Sequence, residues 1–227
     1  MRWIAAFALI LALMPVGHAA ADEALLAEGE AAFNRGDNET ALSIFRPLAE
    51  EGNATAQGWL GTMYLWSFGV KENFGQALKW SRLGAEQDEV YSLYQMGLMY
   101  KYGFGVKPDD TQAQPYFDRL LAKAQQDDLH AQNLVGQMYH DGDGVVRDFD
   151  EARRWYLLAS EQGNPYASLN LGYMYEWGDG VPADFNDAAN WFALSIEQGY
   201  VLAEHDLDRV GGVGAGYKSG KDAKQEK

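Results

Sequence analysis

Helical stripes separated by glycine-containing breaks dominate the pattern of apolar and polar residues. In the segment "PYASLNLGYMYEWG", small or apolar residues recur at Ala167, Leu171, Gly172 and Tyr175, which is the spacing of one face of an α-helix. The next segment carries a second helical stripe, at Phe185, Ala188, Ala189, Phe192 and Ile196, and it is followed by Gly199. A glycine after the last stripe residue is a common helix stop. The pattern predicts a helix, a loop, a second helix and a short turn.

The same helical pair recurs along the chain in a fixed register. The pattern Gly-x-Met-Tyr occurs four times, at Gly61, Gly97, Gly136 and Gly172. A Gly-Val pair follows each of them at a constant distance, beginning at Gly69, Gly105, Gly144 and Gly180. Glycine inside a helix costs about 1 kcal/mol relative to alanine, so its recurrence predicts close approach between two helices. Because one helical hairpin cannot bury its apolar face alone, we expect the units to stack into a solenoid.

These recurring residues resemble a known repeat. The pattern A-x-x-x-L-G-x-M-Y, followed by G-V, A-x-x-W and a closing Q-G, is similar to the Sel-one-like repeat (SLR) family, a relative of the tetratricopeptide repeat, in its exported bacterial type. The resemblance covers residues 53–207 and is weaker where Ser92 replaces the usual Ala and Tyr116 the usual Trp. It implies an all-α fold, a right-handed α-solenoid of about five stacked helical hairpins plus a capping helix.

The expected domain organisation follows the repeat register. A signal peptide is predicted at 1–21, a solenoid at 22–210 and a disordered tail at 211–227. Within the solenoid, the expected units are a degenerate tetratricopeptide-like hairpin at 24–52, repeats at 53–88, 89–127, 128–163 and 164–199, and a cap at 200–210.

The amino-terminal segment has the layout of a secretory signal. A basic start at Met1-Arg2 precedes an apolar run from Trp3 to Met14 that is too short for a transmembrane helix, and small residues follow at 19–21. We expect cleavage after Ala21, with Ala19 as the alternative. The signal predicts a periplasmic or secreted location. The chain has no cysteine, so it must fold without disulfides.

The charge distribution excludes one class of partner. The chain has a formal net charge of −15. Because Arg2 and the Lys-rich residues 211–227 lie outside the predicted solenoid, the solenoid itself is more acidic than the whole chain. Binding to nucleic acid depends on Lys and Arg that neutralise phosphates, so no nucleic-acid partner is expected. The predicted occupant is a protein or peptide, and the acids favour one with basic segments.

No pattern in the sequence predicts catalysis, a cofactor or a metal site. The loop "DGDGVV" shares only Gly-Val with the other loops, and Val145 and Ala152 would fall at EF-hand ligand positions. It also lacks the strand and Lys of a phosphate loop, so we interpret it as a turn in which Gly144 has a positive φ angle. The Met residues after the recurrent glycines are interpreted as core-filling side chains.

Variable positions on the first helix of each pair predict a binding surface. A stack of helix pairs is concave on the side lined mostly by first helices, and aromatic residues often anchor interfaces. The alternative is that these aromatics only cover neighbouring units. The predicted partner-binding residues are Trp66, Tyr94, Tyr102, Gln137, His140, Tyr173, Glu176 and Trp177.

The family resemblance and this surface lead to three hypotheses for function. The first is a non-catalytic protein–protein interaction scaffold or adaptor in the cell envelope. The second is a cell-wall or polysaccharide-binding protein, because aromatic rings stack on sugars. The third is a hydrolase acting on cell-wall or β-lactam substrates, which the resemblance suggests for Cys-rich secreted members and which the absence of Cys weakens.

Overall fold

The protein is a stack of antiparallel helices. A computed structural model describes residues 16–211, and this part of the chain contains helices, turns and loops but no strand. The predicted signal peptide (1–21) and the predicted disordered tail (211–227) lie mostly at residues 1–15 and 212–227, outside the described residues. The helices within the described range are α1 (Val16–Asn34), α2 (Asn38–Glu50), α3 (Ala54–Trp66), α4 (Phe74–Glu86), α5 (Val90–Tyr102), α6 (Asp110–Ala124), α7 (Leu129–Asp141), α8 (Phe149–Glu161), α9 (Pro165–Trp177), α10 (Phe185–Glu197), the 3₁₀ helix η1 (Val201–Ala203) and α11 (Glu204–Gly211).

Each helix packs against its neighbour in the chain, and the first helices of successive pairs also contact one another. Thus α3 contacts α5, α5 contacts α7, and α7 contacts α9, in addition to the contacts within each hairpin. The first helices therefore form the inner side of the curve. The predicted all-α solenoid of stacked hairpins is confirmed.

Short polar side chains begin most of the helices. Asn53, Asp128 and Asn164 start α3, α7 and α9 by accepting hydrogen bonds from backbone N–H groups of the first turn. Such caps satisfy donors that have no partner inside the helix. At α5 the N-cap residue is Glu89, whose longer side chain is buried.

The recurrent helical glycines mark the points where two helices touch. A side-chain carbon at Gly97, Gly136 or Gly172 would overlap an aromatic ring of the paired second helix, that of Phe117, Tyr156 or Phe192. The predicted close approach is confirmed there. At Gly61 the neighbouring atoms are instead the polar side chains of Gln95 and Ser81.

Glutamines in three of the closing turns hydrogen-bond to the first helix of their own hairpin. Gln87 Nε2 donates to Gln57 Oε1 at 2.9 Å, and Gln162 Nε2 donates to Gln132 Oε1 at 2.8 Å. In the last repeat, Ser168 Oγ donates to the glutamine of the closing turn at 2.6 Å. Two of these glutamines also reach the preceding hairpin, because Gln87 Nε2 donates to Gly52 O at 3.1 Å and Gln198 Nε2 donates to Ser160 O at 2.9 Å. These contacts join successive units.

The curvature of the stack brings its two ends together. The Tyr166 hydroxyl on α9 donates to Asn34 Oδ1 at the end of α1, although the two residues are 132 positions apart. Leu202 in η1 lies next to Gly36 in the turn between α1 and α2. The first hairpin and the carboxyl-terminal cap therefore contact each other, and the inner faces of the repeats surround a central space.

Candidate partner-binding groove

The central space is a cavity with an aromatic wall. Its volume is about 500 Å³. Aromatic rings from both ends of the stack line it, together with amide side chains on the inner helices. The aromatic lining residues are Phe33, Trp59, Trp66, Phe68, Tyr91, Tyr94, Tyr166 and Tyr200.

A second cavity of about 440 Å³ continues the first. The two share Trp66, Tyr94, Leu98 and Gln137 as lining residues, so together they form one groove along the inner face. We call the first the inner cavity and the second the outer cavity. Two acids, at 141 and 143, line the outer cavity. The groove is therefore mostly aromatic at one end and acidic at the other.

Asp143 organises the outer cavity. Its carboxylate is almost fully buried and accepts hydrogen bonds from Lys101 Nζ and from the Tyr102 hydroxyl, both at 2.6 Å. The hydrogen bond to Asp143 also raises the pKa of the Tyr102 phenol. A buried carboxylate needs such partners to remain charged. The loop that carries Asp143 is a turn, and the predicted positive φ of Gly144 is confirmed at +69°.

The inner cavity has a negative electrostatic environment. Trp59 Nε1 donates to Glu30 Oε1 at 3.1 Å, which places the carboxylate beside the wall. Burial raises the pKa of the Tyr91 and Tyr166 phenols, and the nearby Glu30 charge raises both further. No Lys or Arg is among the residues that line either cavity in the described part of the chain.

Four of the residues predicted to bind a partner lie in the groove. Trp66, Tyr94 and Gln137 line both cavities, and Tyr102 lines the outer one. Trp66 and Tyr102 are each 49% exposed, so their rings are accessible to a ligand. Tyr94 is mostly buried and packs edge-on against Phe117.

The other four predicted residues line neither cavity. His140 lies between two carboxylates, with Nδ1 2.7 Å from Asp141 Oδ1 and Nε2 3.1 Å from Asp179 Oδ2. The other three are near the carboxyl-terminal cap: Tyr173, Glu176 and Trp177.

The capping helix α11 occupies the face on which those three residues lie. Arg209 forms an ion pair with Glu176, which is mostly buried. Burial and the charge of Asp206 raise the pKa of Tyr173 to about 12. Trp177 stacks on Tyr173 with ring centroids 4.8 Å apart and is 61% exposed. The cap therefore covers Glu176 and Tyr173, whereas Trp177 remains exposed.

The sequence analysis did not identify six of the eight aromatic residues that line the inner cavity. Trp59 lies two positions before a recurrent glycine, and Tyr91 and Tyr166 lie six before one. Positions six before, two before, one after and five after the glycine form a single helical stripe. A search extended by one turn toward the start of each first helix would have found them. Phe33, Phe68 and Tyr200 carry no such signal, because they lie outside the first helices of the repeats.

Comparison with known proteins gives one family. A family model described as Sel1 repeat matches residues 54–89, 90–120, 129–164 and 165–200. No curated protein matches the chain.

Several solved structures resemble the chain. A Sel1 repeat protein from Oxalobacter formigenes is 30% identical over 81% of this chain and 74% of its own, with a TM-score of 0.48. The protective antigen c5321 of uropathogenic Escherichia coli, described as displaying an SLR fold, is 33% identical over 84% of this chain and 42% of its own, with a TM-score of 0.45. A sel1 repeat protein from Klebsiella pneumoniae is 17% identical over 87% of this chain and 97% of its own, with a TM-score of 0.53, which supports the fold alone.

Proposed function

The chain belongs to the Sel1 repeat family, whose members generally mediate protein–protein interactions, and we propose that it is a non-catalytic scaffold or adaptor that binds a partner protein. The partner's extended segment lies in the groove formed by the inner and outer cavities. The Sel1 fold is typically a scaffold without catalytic activity, which agrees with this assignment.

One observation carries the proposal: the groove is continuous, and its rim exposes large aromatic side chains. Trp66 lies where the two cavities join and is half exposed. Large aromatic rings in a concave surface are characteristic anchors for a partner's side chains. Amides at Gln137 and Asn170 also line the inner cavity, where they can hydrogen-bond to a peptide backbone.

The charge of the groove favours a partner with basic segments. Asp141 and Asp143 line the outer cavity, and the whole chain is strongly acidic. Complementary charge accelerates association and discriminates against acidic partners. We place the interaction in the cell envelope, in the periplasm or after secretion. The support for this location is the signal-like pattern of residues 1–21. Among the described residues, no helix combines the length and the apolar character that crossing a bilayer needs.

A matched pair of tryptophan variants tests the groove. Trp66 and Trp177 occupy the same repeat position, at the end of α3 and of α9, and both are well exposed, but only Trp66 lines the groove. Peptides are selected from a displayed random library on the full-length protein, and their affinities are then measured on Trp66→Ala and Trp177→Ala. We expect the Trp66→Ala variant to lose at least about tenfold in affinity, as for an interface anchor, and the Trp177→Ala variant to bind normally.

Equal affinity of the two variants would reject the groove as the binding site. The same assay run with soluble cell-wall glycans covers the polysaccharide hypothesis. If no peptide is selected and glycan binding depends on Trp66, the proposed protein partner would be rejected in favour of a polysaccharide.

A further inference from the structure

The inner cavity presents aromatic faces and no cationic side chain of its own. Trp59 is 3% exposed and lies behind the wall, with ring centroids 4.8 Å from Phe33 and 5.1 Å from Tyr91, whose rings are partly exposed. On the other side of the stack, Tyr166 and Tyr200 lie with centroids 5.3 Å apart. Faces of Trp and Tyr attract a cation placed within about 6 Å. The rings are brought together from hairpins at both ends of the solenoid.

A carboxylate without a cationic partner stands beside these rings. Glu30 on α1 holds the Trp59 indole through one oxygen and forms no ion pair among residues 16–211. It lies close enough to Tyr91 and Tyr166 for its charge to raise the pKa of both phenols, after the larger effect of burial. By contrast, Asp143 in the outer cavity is already paired with Lys101. Of Glu30 and Asp143, the carboxylate that has no Lys or Arg partner is therefore the one beside the inner, aromatic end of the groove.

We propose that the inner cavity binds an arginine side chain of the partner, with the guanidinium between aromatic rings and Glu30 as its counter-charge. This rests on the proposed function, because the arginine is taken to be part of the segment that occupies the groove. It also makes the proposed function more specific, because the inner cavity, of about 500 Å³, would then recognise one type of partner side chain.

The chemistry of the wall favours arginine over lysine. A guanidinium is planar, stacks on aromatic faces and is less strongly hydrated than an ammonium group. It therefore loses less hydration free energy when it enters a largely apolar cavity. Its five N–H donors require several acceptors. Besides Glu30, the amide side chains of Gln137 and Asn170 line the same space and supply two further acceptor oxygens.

The test uses small probes that do not depend on a natural partner. N-acetyl-arginine methylamide is titrated into the full-length protein and compared with N-acetyl-citrulline methylamide, which has nearly the same shape and no charge. The indole N–H resonance of Trp59 is the reporter, assigned with a Trp59→Phe variant, because this N–H donates to Glu30. We expect the arginine probe to shift the resonance and to bind at least about tenfold more tightly than the citrulline probe.

Two glutamate variants identify the counter-charge. Glu30→Gln removes the charge but keeps an oxygen that can accept from Trp59 Nε1, and it should abolish the preference for arginine. Glu28→Gln removes the same charge from an exposed position on the same helix and should keep the preference. Equal binding of the two probes to the unmodified protein, or a preference for arginine that survives in Glu30→Gln, would overturn the proposal. The probe comparison is made on the unmodified protein, so it does not depend on how well the variants fold.

Failure of this proposal is distinguishable from failure of the proposed function. Library peptides that bind through Trp66 but tolerate replacement of every arginine by citrulline would leave the scaffold in place and reject the arginine site. If no peptide is selected but the arginine probe still distinguishes the protein from its Glu30→Gln variant, the arginine site stands and the extended peptide is rejected.

Discussion

At the scale of single residues, the buried carboxyl of Glu89 ties stability to pH. The side chain begins α5 by accepting from the backbone N–H groups of Tyr91 and Ser92, at 3.1 and 2.7 Å. Burial raises its pKa from 4.5 to about 7. Between these two values the folded protein holds a proton that the unfolded chain has released. The free energy of unfolding should therefore fall as the pH rises through this interval.

A Glu89→Gln variant should remove this dependence, because glutamine does not ionise but keeps one oxygen that can accept a cap hydrogen bond. Relative to the unmodified protein, the variant should gain up to about 3 kcal/mol in free energy of unfolding between pH 4.5 and pH 8. Urea unfolding at several pH values measures the difference. Glu86→Gln, at an exposed position of the preceding helix, is the control. A constant difference between Glu89→Gln and the unmodified protein across this range would show that Glu89 ionises normally.

His140 should keep its proton to a higher pH than an exposed, isolated histidine. The hydrogen bond to Asp141 and that to Asp179 raise the pKa of its imidazole. The group therefore stabilises the fold at low pH, and this contribution is lost as the pH rises through the raised pKa. Its stabilisation should stay below about 1 kcal/mol, because the side chain is partly exposed.

An Asp179→Asn substitution should lower the pKa of His140, since it removes one of the two carboxylates. NMR titration of the imidazole ring protons provides the measurement, and Asp208→Asn, at an exposed position of α11, is the control. An unchanged titration in Asp179→Asn would mean that Asp141 alone sets the pKa.

At the scale of helices, the close packing of each helix pair depends on the recurrent glycine, and a single substitution can test this. At Gly172 a side-chain carbon would overlap the ring of Phe192, so alanine must push α9 and α10 apart. Overpacking of this kind costs about 1–3 kcal/mol, which outweighs the gain of about 1 kcal/mol in helix propensity. We expect Gly172→Ala to lower the free energy of unfolding.

The matched substitution is Gly75→Ala in α4, which is exposed and has no neighbour closer than 3.3 Å. It should be neutral or slightly stabilising in the same urea titration. If Gly172→Ala were as stable as Gly75→Ala, close helix packing would not explain the recurrent glycine.

The helices and their pairing were predictable from sequence because each unit repeats the same local signals. The small residues of the stripe, the glycine of the contact and the Gly-Val turn recur in register. The side-chain roles at the ends of the stack were not predictable in this way. Glu176 and Tyr173 interact with Arg209 and Asp206 of α11, and neither of these two α11 residues belongs to the recurrent pattern.

At the scale of the whole molecule, the inner cavity depends on how far the stack curves. Trp66, Tyr94 and Gln137 were predicted from the variable positions of neighbouring first helices. Phe33 and Tyr200 join them only because small rotations between hairpins accumulate until the two ends meet. No local pattern in the sequence specifies the total rotation, so the contact between the two ends of the stack could not be predicted from the sequence.

The contact that closes the stack should control the stability of its first helix. Tyr166→Phe keeps the aromatic wall but removes the hydroxyl that donates to Asn34, at a cost of about 1 kcal/mol. Because terminal units of a solenoid have a neighbour on one side only, the loss should appear as faster amide hydrogen exchange in α1 rather than across the repeats. Tyr139→Phe is the control, since the Tyr139 hydroxyl has no hydrogen-bond partner within residues 16–211. If α1 exchanged at the same rate in both variants, α1 would be held by its packing on α2 and α3 and not by the contact with Tyr166.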